Sequence, residues 1–430
     1  MKNEVLILGA GITGLSAGVN SNNNIYEAKD IPGGICSSYY MNSEGSRFYS
    51  RNDEETYRFE LGGGHWIFGA DNSILNFINE FSPIKSYERK SAVYFPEWDL
   101  YVPYPLQNNL SYLPREIAKK ALDEIVNSDH ARDTALFSDW LELHFGKTLC
   151  ELFFFPFHDL YTAGLFTKIE PQDKYKSPVN KEQILRGFRE KAPPVGYNVT
   201  FVYPEKGLDD LIRNVAEKCL VNYNKKVIKI DIRKKEILFK DDTVVKYKTL
   251  ISTLPLNLML KLIDSRISEQ NPPYTSVMVV NIGAKKGSKC PDEHWLYIPK
   301  SRSGFHRVGF YSNVDNRFLP QSARQDDDRV SIYVEKAFLP EEKPDKEESR
   351  KLCDEIIMEL RSWKFIDTIE VIDPTWVEVA YTWQYPQSDW KERAIEILER
   401  NDIFQIGRYG RWKFQGIAKS IKDGLEFKND

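Results

Sequence analysis

Cysteine is scarce in this chain: five residues in 430, at positions 36, 150, 219, 290 and 353, with no C-x-x-C pair. That pattern excludes a disulfide framework and a structural zinc site, and makes a reduced cytoplasm the expected compartment. No run of about 20 apolar residues is present, so no stable membrane insertion is expected. Met1-Lys2-Asn3-Glu4 leads directly into an apolar strand, so no secretory signal is expected either. Charge excess is also missing. The 59 Lys and Arg face 63 Asp and Glu, a formal net charge of −4, which gives no general attraction to nucleic acid or anionic lipid. There is no internal repeat, no low-complexity segment, no metal-ligand cluster and no Ser/His/Asp set.

What is present begins at once. Val5 to Leu8 is a short apolar run fit for a strand buried on both faces. Gly9, Gly11 and Gly14 follow in G-x-G-x-x-G spacing, with Ile12 and Thr13 between them and small residues after them. The first glycine suits a sharp turn, the second the approach of a pyrophosphate, and the third close helix–strand packing. The phosphates would rest on the helix N-terminus, where free N–H groups and the dipole favour anions. A second strand, Ile25-Tyr26, ends at Glu27 and Ala28, where the pattern wants an acid for ribose hydroxyls. The spacing alone does not choose between FAD and NAD. Pro32-Gly33-Gly34 favours FAD, because a second glycine pair lets another backbone segment close over an elongated ligand.

At 430 residues two or three domains are expected. Aromatics are rich, with 24 Phe, 23 Tyr and 9 Trp, and fit large cores or a ring-lined cleft. Residues 35–60 read as a hairpin excursion with a charged tip at Arg51–Glu55, returning to Gly62-Gly63-Gly64-His65, where backbone can pass close to a flat ligand. Residues 73–82 read as a helix, and 87–102 as two strands joined at Glu97-Trp98. Gln107 and Asn108, after Pro103 and Pro105, offer neutral donors and acceptors suited to sugar hydroxyls. A helical stretch runs from Pro114 through the Phe153–Phe155 run. Residues 198–254 return to the first architecture; in the flavoproteins that this arrangement resembles, the strand at Val227–Ile230 would lie near the adenine. Residues 274–390 read as antiparallel strands with one helix from Glu347 to Trp363. Gly407-Arg408-Tyr409-Gly410 reads as a glycine-flanked turn. Gly416–Glu426, with Ile417 and Ser420, reads as a closing helix whose N-terminus could face a ligand.

The fold class expected is therefore α/β. A Rossmann-like FAD-binding domain is assembled from 1–102, 195–272 and 396–430. A helical insertion occupies 103–194, and a mainly antiparallel sheet domain that meets the substrate occupies 273–395.

Motifs spread along the chain resemble those of the UDP-galactopyranose mutase family, within the wider amine oxidase and protoporphyrinogen oxidase-like FAD superfamily. They are Pro32–Gly34, Gly63 to Phe68, Val102 to Asn109, Trp295 to Pro299, Arg307 to Asn313 and Gly407 to Phe414, in that order. The resemblance implies a mutase interconverting pyranose and furanose forms of a nucleotide-diphosphate sugar. Reduced FAD attacks the anomeric carbon through N5, and NAD(P)H serves only as external reductant. It implies that His65 packs against the flavin ring, that Arg307 holds the pyrophosphate, and that Arg408 lies beside flavin and sugar. Tyr297 and Tyr385 would donate hydroxyls to phosphate. Gln107, Asn108, His158, Tyr161, Asn198 and Phe414 would contact substrate. Gly407 and Arg408 would complete the flavin site. The sequence departs from the family at His158, which takes an Asn position, at Phe414, where Tyr is common, and at a second pyrophosphate arginine, for which Lys174 or Lys176 would substitute. These departures sit on the sugar and nucleotide side, so the substrate expected is not UDP-galactose itself. The alternative is an FAD-dependent oxidase or desaturase of the amine-oxidase type.

Overall fold

The computed structural model describes residues 5–19, 21–50, 54–130, 132–171, 179–191, 199–269 and 272–427. Asn198, Lys174 and Lys176 lie outside the described residues, as do Arg51 to Asp53 at the tip of the excursion.

A five-stranded parallel sheet carries the glycine stretch. Its order is Leu220–Asn222, Asn24–Tyr26, Val5–Leu8, Thr249–Ser252 and Ile403–Gln405. The first strand is apolar throughout because both of its faces are covered. Ile7 packs with Leu15, Leu211 and Ile421 from helices Ile12–Val19, Leu208–Ala216 and Ile417–Leu425. Leu6 and Leu8 point the other way, into Leu256, Leu260 and Leu398 of helices Leu256–Leu262 and Trp390–Glu399. Its strands come from three distant parts of the chain.

A seven-stranded sheet forms the second body. In space it runs Ile366–Thr382, Tyr274–Lys286, Arg329–Phe338, Arg307–Phe310, Trp295–Tyr297, Ser91–Phe95 and Leu100–Pro103. All pairings are antiparallel except that of Trp295–Tyr297 with Ser91–Phe95. Residues 91–102 thus pair with the larger sheet, where the sequence division had put them with the first domain. Both faces of Ser91–Phe95 are apolar and need two covers. Ala92 and Tyr94 face Ile356 and Leu360 of the long helix Lys346–Ser362. Val93 and Phe95 face Leu141 and Phe145 of the helical insertion.

That insertion contains helices Arg115–Asn127, Phe137–Leu149, Phe155–Thr162 and Lys181–Arg189, with a π-helical turn at Cys150–Phe154. Ser38–Met41, Arg47–Phe48 and Tyr57–Glu60 form a small three-stranded sheet, and Thr200–Pro204 pairs with Ile84–Glu88. Gly407–Gly410 is a short helix where a turn is expected from sequence. Among the described residues no helix is long and apolar enough to cross a membrane, and no group of three or more His, Cys, Asp or Glu could hold a metal ion.

Candidate functional site

A cavity of about 660 Å³ runs from the end of the first strand, past the glycine loops, to the aromatic wall of the helical insertion. Its floor is built by backbone. Gly9 N donates to Tyr26 O at 2.9 Å, and Gly33 N donates to Ala10 O at 2.8 Å. An isolated β-bridge joins Gly11 to Gly33, which ties the second glycine loop to the first. Gly14 has the packing role: a Cβ there would stand 2.0 Å from Gly9 O. Gly11 and Gly416 are the opposite case, since a Cβ at either would meet nothing within 4 Å. Both Gly11 and Gly416 line the cavity at helix N-termini, leaving a cradle shaped for backbone N–H groups to meet an anionic ligand. Glu27 borders it. Its Oε2 accepts from Ala10 N at 2.8 Å and its Oε1 from Lys29 N at 3.0 Å, which fixes the carboxylate at the rim. Ile12, Thr13, Gly34, Gly64, Gly407, Ile417 and Ser420 line the same space. These residues fit an elongated dinucleotide.

The upper part is polar at a few points and aromatic elsewhere. His65 Nδ1 is 3.1 Å from Gly63 O. A carbonyl can only accept, so Nδ1 carries the hydrogen and Nε2 keeps its lone pair. Burial pushes the His65 pKa down to about 4, and the nearby Arg408 and Arg307 charges act the same way, so the ring is neutral at pH 7. Arg408 Nη2 donates to Ala380 O at 2.6 Å, and its guanidinium lies 4.6 Å from the Phe414 ring and 5.2 Å from the Tyr381 ring. Among the described residues no carboxylate pairs with it. The Tyr409 hydroxyl, also on the cavity, is buried without a hydrogen-bond partner among them.

Arg307 differs from the expectation of an open phosphate clamp. Its Nε donates to Glu335 Oε2 at 2.9 Å and its Nη2 to Glu335 Oε1 at 2.5 Å. The two residues are directly cross-strand, which sets this fork-on-carboxylate pair. Burial would raise Glu335, but the Arg307 charge outweighs it and holds the carboxyl down at about 2. His306, buried beside it, places Nε2 3.6 Å from Glu335 Oε2.

His158, Tyr161, Tyr297 and Phe414 line the cavity. His158 Nδ1 donates to Phe154 O at 2.6 Å, which presents Nε2 as the acceptor. Several other candidates lie off this lining. Gln107 and Asn108 are buried away from the cavity lining, because helix Lys181–Arg189 packs onto them; a Cβ on Gly187 would stand 1.9 Å from Asn108 O. Tyr385 is 39% exposed in the turn after Thr382 and does not line the cavity. Val227 packs at the edge of the core beneath the parallel sheet, Ala28 is exposed past Glu27, and Gly63 faces Glu335; none of the three lines the cavity.

Glu335, His306, Tyr381, Arg89 and the Phe153–Phe154–Phe157 wall were missed from sequence. One signal was available: Glu335 follows the apolar run Ile332–Val334 in a strand that is buried at Glu335, where a charge is out of place unless partnered.

The model of the flavin containing amine oxidoreductase family matches residues 10–425. Among solved structures, a reduced UDP-galactopyranose mutase is 25% identical, with a TM-score of 0.83 over 99% of this chain and 93% of that one. A candidate protoporphyrinogen oxidase from Exiguobacterium sp. 255-15 is 14% identical, with a TM-score of 0.73 over 99% and 97%. A putrescine oxidase bound to putrescine is 16% identical, with a TM-score of 0.61 over 99% and 98%. The last two likenesses speak for the fold alone.

Proposed function

The chain belongs to the flavin-containing amine oxidoreductase family, and from that premise we propose that it is a flavin-dependent mutase acting on a nucleotide-diphosphate sugar other than UDP-galactose, interconverting its pyranose and furanose forms. The observation that carries this reading is Arg408. It is a guanidinium without a carboxylate partner among the described residues, framed by rings, in the same cavity as the glycine cradle. Such a group attracts a diphosphate and repels an alkylammonium ion. The likeness to a reduced UDP-galactopyranose mutase supports the same assignment.

The cradle residues Gly11, Gly33, Gly34 and Gly416 would hold FAD, with Glu27 at the ribose. When bound and reduced, with NAD(P)H as external reductant, the flavin supplies the nucleophile for the anomeric carbon. The chain's own residues do the rest. Arg408 binds the diphosphate and steadies it as a leaving group. Neutral His65 offers Nε2 as a hydrogen-bond acceptor over the ring-binding loop. Phe153, Phe154, Phe157 and Tyr161 exclude water, which would otherwise hydrolyse an activated sugar. His158 and Phe414 set the sugar and nucleotide preference.

The aromatic wall favours a second reading, an oxidase of the amine-oxidase type. One experiment separates them. Dithionite-reduced protein is incubated with a panel of nucleotide sugars, and oxidised protein with a panel of amines. Pyranose–furanose interconversion without net redox change supports the mutase. Hydrogen peroxide from an amine, with no nucleotide sugar bound, supports the oxidase. Full turnover of UDP-galactofuranose would sink the substrate part alone.

A further inference from the structure

Two guanidinium groups converge on one cavity. Arg307 and Arg408 both line it, and both act electrostatically on His65 and on Tyr381. Beside Arg307 stands a buried carboxylate, Glu335, committed to it through two nitrogens of the guanidinium fork. A phosphate oxygen entering beside Arg307 competes for that same fork. Withdrawing the fork would leave Glu335, 1% exposed, as a buried charge without a counter-ion.

One side chain is placed to answer that charge. His306 is 1% exposed, with Nε2 3.6 Å from Glu335 Oε2 and neither ring nitrogen hydrogen-bonded among the described residues. Its position is set by backbone: His306 N donates to Glu335 O at 3.0 Å, and Ile298 N donates to His306 O at 2.9 Å. Tyr161 and Phe157 of helix Phe155–Thr162 pack against the ring at 5.3 and 6.2 Å between centroids. The charged and titratable groups facing it are Glu335 and Arg307 from the sheet and Tyr161 from the helix.

We propose that His306 is a positioning residue that couples ligand binding to proton uptake: a diphosphate draws Arg307 off Glu335, and a proton from solvent binds His306 Nε2, making it the replacement cation beside Glu335. This rests on the reading of the cavity as a diphosphate site. No bond other than N–H forms, and no electron changes hands. Burial lowers the His306 pKa in the free protein, so the ring is neutral at pH 7 and able to accept the proton. Once Glu335 stands alone, its charge pulls the His306 pKa up. Between the two values binding consumes protons, so affinity falls as pH rises, by up to about tenfold per pH unit for one proton.

The test is calorimetric titration of the holoprotein with UDP-glucose, whose diphosphate diester does not titrate near neutrality, in several buffers of different ionisation enthalpy at pH 7. The expected result is a buffer-dependent heat equivalent to nearly one proton taken up in the wild type. In His306→Gln the heat becomes buffer-independent and affinity no longer depends on pH. His306→Asn is a second replacement, flavin absorbance reports whether each variant is folded, and the wild-type pH profile decides the matter if neither is. Binding without buffer-dependent heat in the wild type overturns the inference and leaves the diphosphate site standing. Uptake that persists in either folded variant also overturns it. No binding of UDP-glucose or of any nucleotide-diphosphate sugar in the panel overturns both.

Discussion

Two alanine substitutions three positions apart in the chain should behave in opposite ways, because Gly11 and Gly14 are glycines for different reasons. A Cβ at Gly14 would lie 2.0 Å from Gly9 O, far inside the 3.4 Å at which ordinary contact begins. The obstacle is backbone, so helix Ile12–Val19 must retreat from the strand beneath it. Overpacking of this kind costs about 1–3 kcal/mol, and Gly14→Ala should destabilise the apoprotein by that amount. At Gly11 a Cβ meets no protein atom within 4 Å. Gly11→Ala should leave the apoprotein within about 0.5 kcal/mol of wild type, and the added methyl should instead occupy the cradle. The loss then appears only with ligand: flavin at 100 times its dissociation constant adds about 2.7 kcal/mol of apparent stability, and Gly11→Ala should forfeit most of it. The assay is thermal or urea unfolding of deflavinated and flavin-reconstituted protein, with bound flavin counted by absorbance. A Gly11→Ala protein that retains full flavin and the wild-type holo melting temperature would refute the placement of the cradle. A fully stable Gly14→Ala apoprotein would refute the packing argument.

Other expectations follow from the same geometry. Arg408→Ala should weaken binding of a nucleotide diphosphate by about 1.5–3 kcal/mol, roughly 10- to 150-fold, and Arg408→Lys should recover only part, since an ammonium lacks the fork; isothermal titration measures both. Glu335→Ala strands the half-buried Arg307 guanidinium and should cost about 3–5 kcal/mol in urea unfolding. Because the Glu335 pKa is depressed to about 2, its contribution is present above the ordinary carboxylate value and lost as pH falls toward 2, so the variant should lack that part of the acid limb. Glu60 has the opposite sign. It accepts from Ser38 Oγ at 2.9 Å, yet full burial pushes its pKa up to about 8. The folded state therefore holds a proton that the unfolded state releases, and stability falls as pH rises from the ordinary carboxylate value through 8. Glu60→Gln should abolish that decline, at most about 1.4 kcal/mol per pH unit, in unfolding titrations between pH 5 and 9.

The cradle was legible because it is local. Val5 to Glu27 contains its own strand, turn, helix and second strand, and the periods and glycine offsets carry the information within 20-odd residues. The Arg307–Glu335 pair was only half legible. Arg307 was visible as a candidate, but its partner is chosen by the register between two strands 28 residues apart in sequence, which no local pattern encodes. His306 and Tyr381 were hidden for the same reason. Gln107 and Asn108 misled because a polar run after prolines looks exposed; a helix that begins at Lys181 decides otherwise by placing its one glycine against Asn108. Ser91–Phe95 was read as a strand but assigned to the wrong body, because an apolar run states that both faces are covered without naming the cover.

The parallel sheet also sets a timetable. Its outer strand, Ile403–Gln405, pairs with Thr249–Ser252, and the residues that finish the cradle, Gly407, Arg408, Gly416 and Ser420, all follow it. During synthesis the first glycine loop therefore leaves the ribosome roughly 400 residues before its opposite wall exists. A nascent chain can offer flavin phosphates a loop but not an enclosure. Cofactor loading therefore waits until residues 407–420 have been made, and proteolytic loss of helix Ile417–Leu425 would open the far wall of the cradle.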